Sequence, residues 1–379
     1  MKVAKRNVWE LKRIKGLYAC IVTILILMFA NIQVQAVEFT VKPVNAVLYA
    51  GDGAEVFAQP DATTVVTVFP GDTPIQVTGI TNKGYFQVLI DGSTYYMYGK
   101  ALSTRTGTTA YRLTSVDAKA ALVADATTGE VIYMQGGLDR LAPASTTKIM
   151  TALLTLEAIA QGQISLDTQV VVSASALAGI PSDASHVSPR LKKGEVMSIM
   201  SLLQCTLVKS DCHACNVLAE AVAGSVDNFV AMMNLKATAI GCVDTNFVNT
   251  SGYPAANHYT NAYSLFLIAK EAMKYQTFQD IVGMTKVVIP ATNLSKAREF
   301  STTNELIKNS SYYNPEVTGT KTGYSKSSGS CLVASATRND KTVISVILGA
   351  QTKEMSDGVR TKLQFSETNK LLEIGLAGA

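Results

Sequence analysis

A hydroxyl and a primary amine stand three residues apart in Pro143-Ala144-Ser145-Thr146-Thr147-Lys148-Ile149-Met150, the only S-x-x-K of the chain. If a helix starts here, Ser145 and Lys148 occupy positions i and i+3 and share a face. The positive end of the helix dipole then stabilises an alkoxide. A desolvated lysine beside other cations can lose its proton from a reference pKa of about 10.4 and serve as the base. A second hydroxyl, Ser210, stands in Lys209-Ser210-Asp211-Cys212 at the entry to another helical pattern. A second amine stands in Gly319-Thr320-Lys321-Thr322-Gly323-Tyr324, the only K-[ST]-G, just before a strand pattern.

These groups are far apart in the chain, so the fold must gather them. Ala121–Asp125 and Val131–Met134, joined through Thr127-Thr128-Gly129-Glu130, predict a β-hairpin. Helical periodicity runs over 145–160, 196–208 and 215–239. Ser330–Ala336 and Val343–Leu348 read as strands around an Asn339-Asp340 turn, and a helix over 356–374 ends the pattern. Strands at both ends with a helical block between them predict an α+β domain in which distant segments meet in one sheet.

The three elements, in this order, resemble the S-x-x-K, S-D-N and K-T-G set of penicillin-binding proteins and class A β-lactamases. Residues 112–379 resemble a serine-type D-alanyl-D-alanine carboxypeptidase, a low-molecular-mass penicillin-binding protein. Asn249–Pro254, Asn257–Tyr263, Thr302–Leu306 and Ser328–Leu332 are in that family's style. The resemblance implies a penicillin-binding/β-lactamase-like antiparallel sheet flanked by helices, with an all-helical subdomain. It also implies removal of the terminal D-alanine from peptidoglycan stem peptides through an acyl-serine, and β-lactam antibiotics as covalent inhibitors. Carried over, Ser145 is the nucleophile, Lys148 its base, Ser210 the proton relay to the leaving amine, and Lys321 the electrostatic partner of the relay and the substrate carboxylate.

Elementary chemistry agrees with those roles. A strand carrying Lys321, Thr322 and Gly323 can pair with an extended peptide by edge addition, glycine leaving room for close approach. Backbone N–H groups of Ser145 and Tyr324 are the expected oxyanion hole. Cys212 stands where the family usually has asparagine, whose amide binds the substrate carbonyl; a thiol offers only a weak donor and acceptor. A serine β-lactamase uses the same motifs, but no E-x-x-L-N lies between Ser210 and Lys321. A non-catalytic wall-binding scaffold with a decayed peptidase fold is the third reading. Carboxypeptidase, endopeptidase and transpeptidase share the acyl-enzyme and differ in the acceptor admitted.

Upstream, residues 38–103 alternate short β-branched or aromatic stretches with turns such as Pro70-Gly71-Asp72 and Asp91-Gly92, which predicts a small closed all-β barrel. Gly84-Tyr85-Phe86 and Gly92–Met97 resemble a bacterial SH3-like domain, which implies cell-wall contact; a module that only positions its neighbour is the other reading. Polar residues 104–111 predict a linker.

Of the 379 residues, 47% are hydrophobic and 16% charged, which excludes a disordered chain and a polytopic membrane protein. The formal net charge of +4 is local. Residues 1–36 carry six bases against Glu10, a balance of +5, so the remainder sums to −1. Nothing in that remainder points to nucleic acid, nucleotide or metal, and no cofactor is expected. Basic residues, an apolar run over 21–32 and the ending Val34-Gln35-Ala36 predict a signal peptide cleaved after Ala36, with an uncleaved anchor as the alternative; either places the protein outside the cytoplasm. The five cysteines beyond it, an odd number, leave at least one thiol free, and each reads as a small buried hydrophobe. His213, in Cys212-His213-Ala214-Cys215, reads as a helix-surface residue.

Overall fold

Strands from the two ends of the larger region do meet in one sheet. In the computed structural model its antiparallel order is Val317–Ser325, Gly329–Arg338, Lys341–Ala350, Ala120–Asp125 and Val131–Gln135. The structure describes residues 41–50, 53–60, 62–70, 73–81, 85–98, 101–103, 116–354 and 360–377. The expected signal peptide and linker lie outside them.

The sheet explains why its strands read as unbroken apolar runs. Successive side chains point to opposite faces, and both faces are covered. Leu122, Ala124, Val333, Ile344 and Val346 face the core that includes Phe266 and Leu265 of the Ala262–Ala272 helix. Ala121, Val123, Leu332, Ala334 and Ile347 face Leu371 and Leu372 of the C-terminal Leu363–Gly375 helix. Val317–Ser325, which carries Lys321-Thr322-Gly323, has one neighbour in the sheet, so among the described residues its other edge has no sheet partner.

The helical block departs from the periodicity in three places. The expected 145–160 helix is a 3-10 turn, Ala144–Thr147, followed by an α-helix, Lys148–Ala160, that buries most of its length. Val196–Ser198 is a short strand paired with Gln169–Val171, and the helix proper is Ile199–Leu207, capped by Ser198, whose hydroxyl accepts the Ser201 N–H. The 215–239 stretch is two helices, Cys212–Ala223 and Val226–Ala239. Gly224, at φ +75°, ends the first in the left-handed conformation that glycine adopts freely, and Ser225 caps the second. Asp211 caps Cys212–Ala223 by accepting the Ala214 N–H at 2.8 Å.

Residues 41–103 form a separate seven-stranded antiparallel sheet running from Val65–Phe69 at one end to Leu102–Ser103 at the other. It closes around Leu48, Val56, Ile75, Val77, Ile80, Phe86, Val88 and Met97, all buried. The two end strands share no ladder among the described residues. Among the described residues no helix is long and apolar enough to cross a membrane, and no group of three His, Cys, Asp or Glu side chains is placed to hold a metal ion.

Candidate active site

The 3-10 turn puts Ser145 on the rim and Lys148 beneath it. Ser145 is half-buried, whereas Lys148 is wholly buried as the first residue of the central helix. Lys148 Nζ lies 2.9 Å from Ser145 Oγ. Its other partners are the Ser251 carbonyl at 2.7 Å and the Cys212 Sγ at 3.5 Å. No carboxylate pairs with it among the described residues. The amine is therefore aimed at the serine oxygen by one backbone acceptor and one weak sulfur contact.

The carbonyl comes from a loop wound around one side chain. Asn249 Oδ1 accepts the N–H groups of Ser251 and Gly252, and its Nδ2 donates to the Tyr253 carbonyl. Gly252 then packs directly on the serine turn: a Cβ added there would lie 1.8 Å from the Ala144 carbonyl oxygen. From the other flank His258 supports the turn. Its Nδ1 accepts the Val248 N–H at 3.1 Å, which leaves Nε2 to donate to Thr147 Oγ1 at 3.0 Å. Burial, with the Lys148 charge adding to it, pushes the His258 pKa down to about 4.

The second motif enters at the start of Cys212–Ala223. Ser210 has a left-handed backbone, φ +69°, and a buried Oγ without a partner among the described residues. Asp211 is buried and does two things at once: Oδ1 caps the helix, and Oδ2 accepts the Val187 N–H at 2.6 Å. His213 is buried, not on the surface, with Nδ1 3.7 Å from Asp211 Oδ1. The helix turns its whole first turn inward, which the pattern from Cys215 onward did not reveal. Cys215 is a satisfied core thiol, donating to the Asp211 carbonyl at 3.1 Å, and burial pushes it up to about 12. The five cysteines among the described residues are thiols rather than disulfides; four are buried and Cys242 is half-buried.

The third motif is the edge strand. Lys321 is wholly buried, its Nζ donating to the Thr322 carbonyl at 2.9 Å. Burial first, then the nearby Lys148 charge, lowers its pKa to about 7. Thr322 is held by a 2.5 Å hydroxyl contact with Thr303. Gly323 is where the strand touches the serine turn: a Cβ there would stand 2.9 Å from the Ser145 backbone nitrogen. Tyr324 follows, 70% exposed.

The fold thus brings Ser145, Lys148, Cys212 and Lys321 into one electrostatic neighbourhood, with Gly323 against the Ser145 backbone. Sequence reasoning assigned no role to the Ser251 carbonyl, Asn249, His258, Thr303 or Asp211. Only Asp211 carried a local signal, as a carboxylate directly before a helical run, the position of an N-cap.

A five-stranded antiparallel sheet whose edge strand lies against a serine–lysine turn, with a helical block beside it, defines the penicillin-binding/β-lactamase-like fold. The family model described as D-alanyl-D-alanine carboxypeptidase matches residues 106–352, and the chain belongs to that family. It is 36% identical over 251 residues to the D-alanyl-D-alanine carboxypeptidase DacF of Bacillus subtilis (strain 168), an overlap of 66% of this chain and 62% of the relative. The chain thus matches less than two thirds of that relative's length. The crystal structure of the Streptomyces K15 DD-transpeptidase superposes with a TM-score of 0.61 at 28% identity, covering 69% of this chain and 98% of that one. A penicillin-binding protein from Listeria monocytogenes, solved in its cefotaxime-bound form, gives 0.58 at 26% identity and covers 71% and 99%. Solved variants of the Streptomyces protein replace a serine in one case and, two positions on, a cysteine in another, the same spacing as Ser210 and Cys212.

Proposed function

We propose that the chain is a serine-type D-alanyl-D-alanine carboxypeptidase that removes the terminal D-alanine from peptidoglycan stem peptides. The observation that carries this reading is the 2.9 Å approach of Lys148 Nζ to Ser145 Oγ, with the rest of the lysine's partners being a carbonyl and a thiol. The stem peptide adds along the free edge of Val317–Ser325, and its terminal carboxylate is met by Lys321. Ser145 Oγ attacks the carbonyl of the penultimate D-alanine as Lys148 takes its proton. The oxyanion is held by the N–H groups of Ser145 and Tyr324, which the close approach of Gly323 supports.

Collapse of the tetrahedral intermediate breaks the peptide bond. The leaving amine takes a proton relayed through Ser210, whose unpartnered buried hydroxyl is free for that contact. Water then attacks the acyl-serine, with the lysine as base, and restores Ser145. Cys212 borders the substrate and Thr322 shapes the edge strand. A β-lactam acylates the same serine.

The protein works outside the cytoplasm, and residues 38–103 act as an SH3-like wall-contacting domain joined by the 104–111 linker to the 112–379 catalytic domain. A surface cluster of rings supports that contact: Tyr85 and Tyr98 stand 5.5 Å apart and Phe57 6.0 Å from Tyr85, with Tyr98 exposed. The deciding experiment is labelling with a fluorescent penicillin, followed by peptide mapping and by assay of D-alanine release from a pentapeptide. Persistent label on Ser145 with D-alanine release is expected. Rapid loss of label means a β-lactamase, and a folded protein that takes no label means a scaffold.

A further inference from the structure

Ser210 is held in place by chain that no motif contains. A non-glycine residue keeps a left-handed backbone only where its surroundings impose it, and here φ is +69°. Two backbone contacts from a neighbouring segment do the imposing. The Ser185 carbonyl accepts the Cys212 N–H at 2.9 Å, and the Val187 N–H donates to Asp211 Oδ2 at 2.6 Å. That segment has little regular structure of its own between Leu177 and Val196, so its position must be fixed from outside.

It is fixed by a buried ion pair. Arg298, on the Arg298–Ser301 strand, has its side chain wholly buried, as does Glu195. Its Nη1 lies 2.8 Å from Glu195 Oε1, and its Nη2 donates to Oε2 at 3.0 Å. The same guanidinium grips the segment's backbone, Nε donating to the Pro189 carbonyl at 2.7 Å and Nη2 reaching the Arg190 carbonyl at 3.4 Å. Glu195 in turn accepts the Thr292 hydroxyl at 2.7 Å and the Lys192 N–H at 3.0 Å. At the segment's outer end Asp183 accepts the Tyr253 hydroxyl at 2.9 Å, tying it to the loop whose Ser251 carbonyl holds Lys148. The pair also lies close to the motif: the Cys205 thiol, whose own carbonyl accepts the Asp211 N–H, is pushed up by burial and by Asp211, and it feels Arg298 and Glu195 as well.

Burying two charges is a poor way to gain stability, because their desolvation offsets their attraction; its attested use is to fix one arrangement among several. We propose that Arg298 and Glu195 are positioning residues for the Ser210 hydroxyl, acting through the 185–195 segment that clamps Asp211 and Cys212. The inference rests on the carboxypeptidase reading for its kinetic readout but not for its structural one.

The test uses the full chain with Glu195→Gln, Arg298→Lys and the volume-conserving double variant Arg298→Leu/Glu195→Leu. Two quantities are read: the rate constant and dissociation constant for acylation by a fluorescent penicillin, and hydrogen exchange of the Val187 and Cys212 amides. Loosening the clamp is expected to slow acylation about tenfold or more with the dissociation constant little changed, since misplacement of a reacting group by about 1 Å costs up to about a hundredfold. Exchange at the two amides is expected to accelerate while the core strands stay protected. A merely structural role gives the opposite pattern, a lower unfolding temperature with wild-type acylation in every folded molecule, and overturns the proposal. If the single variants do not fold, the double variant decides: wild-type acylation and wild-type exchange at both amides refute it. If the wild-type chain takes no penicillin, the carboxypeptidase reading fails by itself, and amide exchange alone still decides the positioning role.

Discussion

Replacing Gly252 with alanine separates two costs that the structure allows to be worked out in advance. The first is conformational: Gly252 has φ +76°, and a left-handed backbone costs an L-residue about 1–2 kcal/mol. The second is steric. The new methyl would stand 1.8 Å from the Ala144 carbonyl oxygen, 2.5 Å from its carbon and 2.7 Å from Thr147 Oγ1, where real contacts keep at least 3.0 Å. The obstacle at 1.8 Å is backbone, so no rotamer change relieves it, and the Ser145 turn and the Asn249–Tyr253 loop must part by about 1.2 Å, the difference between 3.0 and 1.8 Å.

Overpacking of this kind costs roughly a further 1–3 kcal/mol, for a total of about 2–5 kcal/mol. The shift also pulls Ser251 from Lys148 and moves Ser145, so acylation should slow by about a hundredfold. Gly162 supplies the control, since its φ is +73° but an added Cβ meets nothing within 4 Å. Gly162→Ala is expected to lose the conformational cost alone and to keep wild-type acylation. Urea unfolding and stopped-flow acylation by a fluorescent penicillin read both variants. A folded Gly252→Ala protein that acylates at the wild-type rate refutes the idea that this contact holds the serine and lysine in register.

Three further outcomes follow from the same geometry. With the Lys321 pKa lowered to about 7, the amine loses its charge as pH rises through that value, so penicillin acylation efficiency should decline above about pH 7. Lys321→Arg, which stays charged, should move that limb upward in a pH profile. His258 has a folded pKa of about 4 against 6.5 unfolded, so the unfolded state binds the extra proton between those values. Stability therefore falls as pH drops from about 6.5 to about 4, by at most about 3 kcal/mol. His258→Gln should flatten that part of the curve in urea unfolding at pH 7 and pH 5. Cys212→Asn places an amide beside Lys148 and should raise D-alanine release; an unchanged or lower rate shows that the thiol at 3.5 Å from Nζ is adapted to this site.

The short-range chemistry was legible because it is written in short-range spacing. Ser145 and Lys148 share a face across one turn whether that turn is 3-10 or α, and Lys321-Thr322-Gly323 alternates along a strand whatever the strand pairs with. The strands around 121–134 and 330–348 announced themselves by apolar character. Misreadings occurred where a local signal was overridden. Val196–Ser198 continues a helical pattern but is captured as a strand by Gln169–Val171, and Gly224 breaks a periodicity that the apolar residues on both sides continue.

The sequence by itself determined which side chains are available and which pairs of them lie within one turn or strand of each other. It could not show that the Ser251 carbonyl aims Lys148, that the Asn249 side chain shapes the loop supplying it, that His258 steadies Thr147, or that Arg298 reaches Glu195. Three of those contacts join residues more than 100 positions apart, and a carbonyl contact bears no mark of residue type at all. Burial belongs to the same category. Lys321 is an ordinary lysine in the sequence, and only the packed interior, which removes water and sets a second amine nearby, brings its charge within reach of neutral pH.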